Sequence, residues 1–154
     1  MTQNGMLTVE TSRFGAIEVH GDTVLTFPNG LVGMEQLKGF VLIEGAGPFQ
    51  WMQSLDDPDA CFVVIDSEEV IGDYVVTPAA EDLAVVTGDA PGAALIALLI
   101  VTVPRDESAP LTANLLAPLL VNLGNRSGVQ AVLTDRHPVR HPIMVRNQTL
   151  ASTG

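Results

Sequence analysis

The sequence predicts a mostly-β fold: a small pseudo-barrel of about nine short strands with one or two short helices, in a single domain over residues 1–146. Three observations carry this. Short apolar runs alternate with Gly, Pro, Asn and Asp punctuation along the chain. The longest apolar run, residues 93–103, fits a fully buried strand and falls short of the roughly 20 residues that a membrane span needs. Only residues 79–86 carry a good set of helix signals.

The elements follow in chain order. Residues 7–9 and 16–19 read as the arms of an opening hairpin whose link ends in Gly15. Residues 24–27 form a third strand, stopped by Pro28-Asn29-Gly30, where Pro fixes φ and Asn-Gly supplies positive φ. Residues 34–38 fit one helical turn before Gly39. Strands at 40–43 and 49–53 come next, then a turn at Asp57-Pro58-Asp59, then a β-branched strand at 61–65 that reads as buried on both faces.

For the helix at 79–86, Pro78 suits the N-terminal end and Gly88 the stop. Glu81 and Asp82 fall in its first turn, where carboxylates favour the helix dipole. The long strand at 93–103 precedes one at 114–122, with Pro118 marking an edge or bulge. Residues 124–128 then turn into a strand at 129–133. Residues 147–154 read as a frayed polar tail.

Composition narrows the function classes. Of the residues, 47% are hydrophobic and 16% charged, which is the balance of a folded domain. The single cysteine, Cys61, rules out an internal disulfide and fits a reducing compartment. The opening MTQNGMLTVE lacks a basic stretch followed by an apolar run, so no signal peptide is expected. These readings place the protein in the cytoplasm.

The net charge is −11, and it is unevenly spread. From Asp56 to Asp89 there are ten acidic residues and no Lys or Arg. From Arg105 onward five Arg stand against Asp106, Glu107 and Asp135. Such a chain repels nucleic-acid phosphates and anionic membranes, and its acidic middle attracts a basic partner.

Little in the sequence supports catalysis. There is no glycine-rich phosphate loop and no GxSxG elbow. His137 and His141 are four apart, but each precedes a proline, which favours extended chain. Straight strand would hold their Cα atoms about 13 Å apart, too far to share an ion easily. Neither a metal nor a cofactor is expected. Ser54, His137 and Asp56 or Asp57 could be assembled into a triad, as chance allows in any chain of this size. Cys61 sits in an apolar strand, where cysteine is usually inert. Asp56-Asp57-Pro58-Asp59 lacks the ligand spacing of an EF-hand and reads as a turn.

Three stretches, in order, carry a family resemblance. The first is Pro48-Phe49-Gln50-Trp51-Met52-Gln53-Ser54-Leu55-Asp56-Asp57-Pro58, running on to Phe62-Val63-Val64-Ile65-Asp66. The second is Val101-Thr102-Val103-Pro104 with Leu111-Thr112-Ala113-Asn114-Leu115-Leu116-Ala117-Pro118. The third is Pro138-Val139-Arg140-His141-Pro142, and Phe27-Pro28-Asn29-Gly30-Leu31 fits an opening FPxGL. Together they resemble the flagellar assembly factor FliW family over nearly the whole chain. Met34, Met52 and His137 depart from the residues common there, and residues 105–110 form a variable loop.

The resemblance implies a β pseudo-barrel without catalytic activity and with two mutually exclusive protein partners. One is newly made flagellin. The other is CsrA, a small basic dimer that binds mRNA and represses translation. Similar proteins bind CsrA away from its RNA surface and weaken RNA binding allosterically. Export of flagellin then frees the factor to capture CsrA, and flagellin translation resumes.

On charge, Asp66, Glu68, Glu69, Asp73, Glu81 and Asp82 are the expected face for CsrA. Flagellin ends are helical and amphipathic, so an apolar groove is expected for them, lined by Trp51, Asn114, Leu115 and Leu116. Asp57, Pro58, Arg140 and His141 lie in the matching motifs and are assigned a structural role. The rival reading is a small-ligand-binding or uncharacterised enzymatic β-barrel. A sugar-binding barrel would carry more aromatics than one Trp, one Tyr and five Phe.

Overall fold

A computed structural model describes residues 5–74, 76–87, 95–134 and 137–143. Strands β1 (Met6–Thr11) and β2 (Gly15–His20) form the opening hairpin, in register from Met6↔His20 to Thr11↔Gly15. Then come β3 (Leu25–Thr26), β4 (Gly39–Glu44), β5 (Phe49–Ser54) and β6 (Cys61–Asp66). Helix α1 (Ala80–Thr87) leads to β7 (Leu95–Thr102), β8 (Thr112–Ala113), β9 (Leu119–Asn122), β10 (Ser127–Gln130) and β11 (His141–Pro142). Beyond the nine expected strands, the two additions are the two-residue strands β8 and β11, which pair with each other.

The barrel closes through the cycle β7-β6-β5-β4-β3-β10-β9 and back to β7. Every step is antiparallel except β3 to β10, a parallel contact of one residue pair, Ser127↔Thr26. Alternation along the strands sorts side chains to the two faces. The inside holds Leu25, Phe27, Phe40, Met52, Val64, Leu98, Leu119 and Val121, all buried. Phe27 and Phe40 meet edge to face, with ring centroids 5.4 Å apart. Gly128 backs onto the Phe27 ring: a Cβ there would lie 2.5 Å from Phe27 Cζ. The interior is therefore a packed core and not a ligand cavity.

Two further clusters lie on the outside. Phe49, Trp51, Val63, Ile65, Leu99 and Val101 point outward from β5, β6 and β7 and are covered by Leu111, Leu115 and Ile143. Val86 of α1 packs on Leu120, Val129, Ala131 and Leu133. The helix C-terminus is fastened by two carboxamides. Asn122 and Asn125 each donate an Nδ2 hydrogen to the Val86 carbonyl, at 2.8 and 3.0 Å. Carbonyls in the last turn of a helix lack partners within it, and these side chains supply them.

Local chemistry explains where the sequence reading and the structure differ. Residues 34–38 form no helix; Leu31 and Met34 make a β-bridge and Leu37 N donates to Met34 O at 3.1 Å. The turn before it needs Gly30, which has φ +68° and whose Cβ would lie 2.4 Å from the Glu35 carbonyl oxygen. The third strand shrinks to two residues because Val24 ends a 3-10 turn over Gly21–Thr23. Residues 114–118 are not strand: Asn114 Oδ1 accepts from Leu116 N and Ala117 N, at 3.0 and 3.1 Å. This short carboxamide outcompetes a strand partner for the local backbone. The strand at 61–65 is buried on both faces only from Val63 onward; Cys61 and Phe62 are half-buried. Gly88, residues 93–94 and the tail at 147–154 lie outside the described residues.

The Asp56–Asp59 turn is a junction. Asp56 Oδ2 accepts from Lys38 N and Gly39 N, at 2.8 and 3.0 Å, and so fixes the start of β4. Asp57 Oδ1 accepts from Asp59 N at 2.9 Å, closing the turn. The Pro58 carbonyl accepts from Ser12 N at 2.9 Å and ties the opening hairpin to the barrel. Ser54 Oγ accepts from Asp56 N and Asp57 N, so the hydroxyl considered for a triad is spent on turn geometry.

Candidate protein-interaction surface

The acidic stretch after β6 builds one wall of a groove. Asp66 Oδ1 accepts from Glu68 N at 3.0 Å and caps a 3-10 turn over Ser67–Glu69. Ser67 is buried, and its carbonyl accepts from Val70 N and Ile71 N. This folds the chain back over the barrel and leaves Glu68 exposed on the rim. The opposite wall is α1, through Leu83. Tyr74, Val76, Ile96, Ala97 and Leu120 lie between, around a groove of about 670 Å³. Leu83 and Leu95 are exposed at its mouth, at 37% and 38%. Apolar walls with carboxylates at the edge suit a basic, amphipathic protein segment.

Tyr74 stiffens this groove. Its hydroxyl donates to the Leu115 carbonyl at 2.5 Å, and its ring meets His137 edge to face at 5.3 Å. Burial pushes the phenol pKa up to about 12.

The six acidic residues expected to form one face do not all converge. Asp66 and Glu68 border the groove. Glu69 is exposed on the same 3-10 turn, and Glu81 is exposed on the first turn of α1. Asp73 borders a second cavity of about 500 Å³ with Leu115, His137 and His141. Asp82 faces the other side of α1, beside Val32, Glu35 and Gln130.

His137 and His141 thus border one cavity, with a bend in the chain between them at residues 139–140. Among the described residues no group of three His, Cys, Asp or Glu is placed to hold a metal ion. His141 pairs with Ala113 across β11 and β8, and Arg140 is exposed beside it.

Of the residues expected to line one groove, Trp51 and Leu115 share an outer cluster but border different cavities. Leu115 is 2% exposed and borders the cavity of His137. Leu116 is half-buried and its amide is bound by Asn114. Trp51 is 8% exposed and borders a separate groove of about 480 Å³ with Val63, Val101 and Val103. Arg13 caps the indole, its Cζ 4.3 Å from the ring centroid, and Phe14 meets it edge to face at 5.9 Å. Arg13 escaped the sequence reading, since nothing in the spacing of a hairpin turn marks which strand it folds over. Cys61 lies at this groove too. Burial pushes its thiol pKa up, only partly offset by the pull of Arg13, and so favours the protonated thiol.

Among the described residues no helix is long and apolar enough to cross a membrane.

Comparison with known proteins agrees with this architecture. A family model described as "FliW protein" matches residues 8–143. Flagellar assembly factor FliW of Natranaerobius thermophilus is 37% identical over 138 residues, covering 85% of this chain and 91% of its own. Flagellar assembly factor FliW 2 of Desulfotalea psychrophila is 37% identical over 141 residues, covering 90% of this chain and 91% of its own. A crystal structure of the flagellar assembly factor FliW superimposes with a TM-score of 0.78 at 28% identity, covering 90% of this chain and 98% of that one.

Proposed function

The chain belongs to the FliW family, and from that premise we propose that it is a flagellar assembly factor that works in the cytoplasm by binding proteins and not by catalysis. In this reading it holds flagellin. When free of flagellin, it binds CsrA, weakens the grip of CsrA on mRNA and relieves repression of flagellin translation. The observation that carries the CsrA half is the groove between α1 and the 66–74 segment. It combines apolar walls with the carboxylates of Asp66 and Glu68, on a chain of net charge −11. A basic RNA-binding dimer is drawn to such a surface, whereas RNA itself is repelled.

The packed barrel interior speaks against a ligand-binding barrel, since Phe27, Phe40 and Met52 fill the space a ligand would need. Stopped-flow association with purified CsrA over a salt series tests the reading. The rate should fall steeply as salt rises, Glu68→Lys should slow it, and added flagellin should displace CsrA. A rate indifferent to salt removes the charge argument, and indifference to both partners removes the proposal.

A further inference from the structure

We infer that the Trp51 groove is the flagellin-binding site, and that the segment it takes is apolar with a carboxylate beside the apolar side chains. The inference rests on the flagellin half of the reading above and goes beyond it by assigning a site and a charge pattern. The groove is lined by two arginines, Arg13 and Arg105, against one carboxylate, Glu107. That reverses the balance of the chain as a whole, which has 18 acidic residues and 7 basic ones. It also reverses the balance of the groove beside α1, whose charged lining residues are Asp66 and Glu68.

The apolar part reaches solvent chiefly through Val103, above a largely buried floor. Val103 is 43% exposed at the rim, and Trp51, Val63 and Val101 form the wall below it. Arg13 is held in place by its stack on the indole, so its guanidinium loses little freedom on meeting a carboxylate. A helical segment with apolar residues on one face and an Asp or Glu at its edge matches this arrangement. A basic segment does not, since it would meet two like charges.

The two grooves share no lining residue and lie at opposite ends of β6, with Cys61 in one and Asp66 in the other. Six residues of strand set them about 16 Å apart. Competition between flagellin and CsrA therefore has to come from overlap of the partners themselves or from coupling through the barrel.

The test titrates purified flagellin against the wild-type chain, Arg13→Glu/Arg105→Glu and Arg13→Lys/Arg105→Lys by calorimetry. Arg13 and Arg105 are both exposed, so the charge reversal should leave the chain folded, with only a small drop in thermal midpoint from the lost stack of Arg13 on Trp51. The expected result is a loss of affinity of at least about tenfold for the Glu pair, with most binding kept by the Lys pair. A smaller loss in the Glu pair, or an equal loss in both pairs, overturns the inference. Should the wild-type chain fail to bind flagellin at all, the functional reading itself falls. Wild-type binding with an indifferent Glu pair instead strikes only this groove. Should the Glu pair also melt early, Arg105→Glu alone, in the loop after β7, decides by the same criterion of weakened flagellin binding.

Discussion

Asn122 Nδ2 donates to the Val86 carbonyl at 2.8 Å, and both residues are fully buried. Through this bond β9 holds α1, and α1 is one wall of the acidic groove. Asn122 Oδ1 also accepts from Gly124 N at 2.8 Å, so one side chain serves helix and hairpin together.

Asn122→Leu should destabilise the fold by about 1–3 kcal/mol for each buried group left unpaired. Urea denaturation measures the loss, and hydrogen exchange locates it. Amides of α1 should exchange faster, because the helix loses its anchor to the barrel. Unchanged protection in α1 would show that Val86 packing alone holds the helix.

Gly128→Ala should cost about 1–3 kcal/mol, since the new methyl would press on the Phe27 ring. Phe27→Leu makes room at that contact. The double variant should therefore be less destabilised than the sum of the two singles. Strict additivity in denaturant midpoints would mean that the ring and the glycine do not oppose each other.

Tyr74 gives an alkaline prediction with a definite sign. Its phenol loses a proton near 10 in the unfolded chain and near 12 in the fold. Above pH 10 the unfolded state therefore binds fewer protons than the folded one, and stability falls as pH rises toward 12. Wild type should show this slope, and Tyr74→Phe should lack that part of it while losing about 0.5–1.5 kcal/mol from the bond to Leu115 at neutral pH. As the chain has one tyrosine, its absorbance titration is assigned without ambiguity. A midpoint near 10 in the folded protein would refute the prediction.

Arg13→Ala should cost about 0.5–1 kcal/mol by removing the cation from the indole face. It should also shift the emission of Trp51, the one tryptophan, as water reaches the ring. An emission spectrum identical to wild type would mean that the hairpin turn does not rest on Trp51 in solution.

Much of the barrel was legible because its strands are bounded by strong turn residues. Pro28-Asn29-Gly30 and Asp57-Pro58-Asp59 each turn the chain where the sequence indicated. The helix was expected at 79–86 and is found over Ala80–Thr87, with Glu81 and Asp82 in the first turn. What the sequence concealed is partly a local competition for backbone groups and partly non-local. Asn114 looks like part of an apolar strand until its carboxamide is seen bound to residues two and three ahead. The acidic run reads as one face only while it is a line of text. In space Asp66 and Asp82 look onto different cavities, because α1 stands between them. Likewise Arg13 and Arg105 are far apart in the chain, and only the closure of hairpin and barrel brings them to one groove.

The outermost strand of the large sheet, β11, is two residues long and ends in Pro142. Proline has no N–H to offer to an incoming strand. Among the described residues the opening hairpin also has free rims, where Glu10, Glu18 and His20 stand exposed. A body bordered this way offers an incoming strand of another copy little edge to pair with, which works against edge-to-edge stacking into fibres.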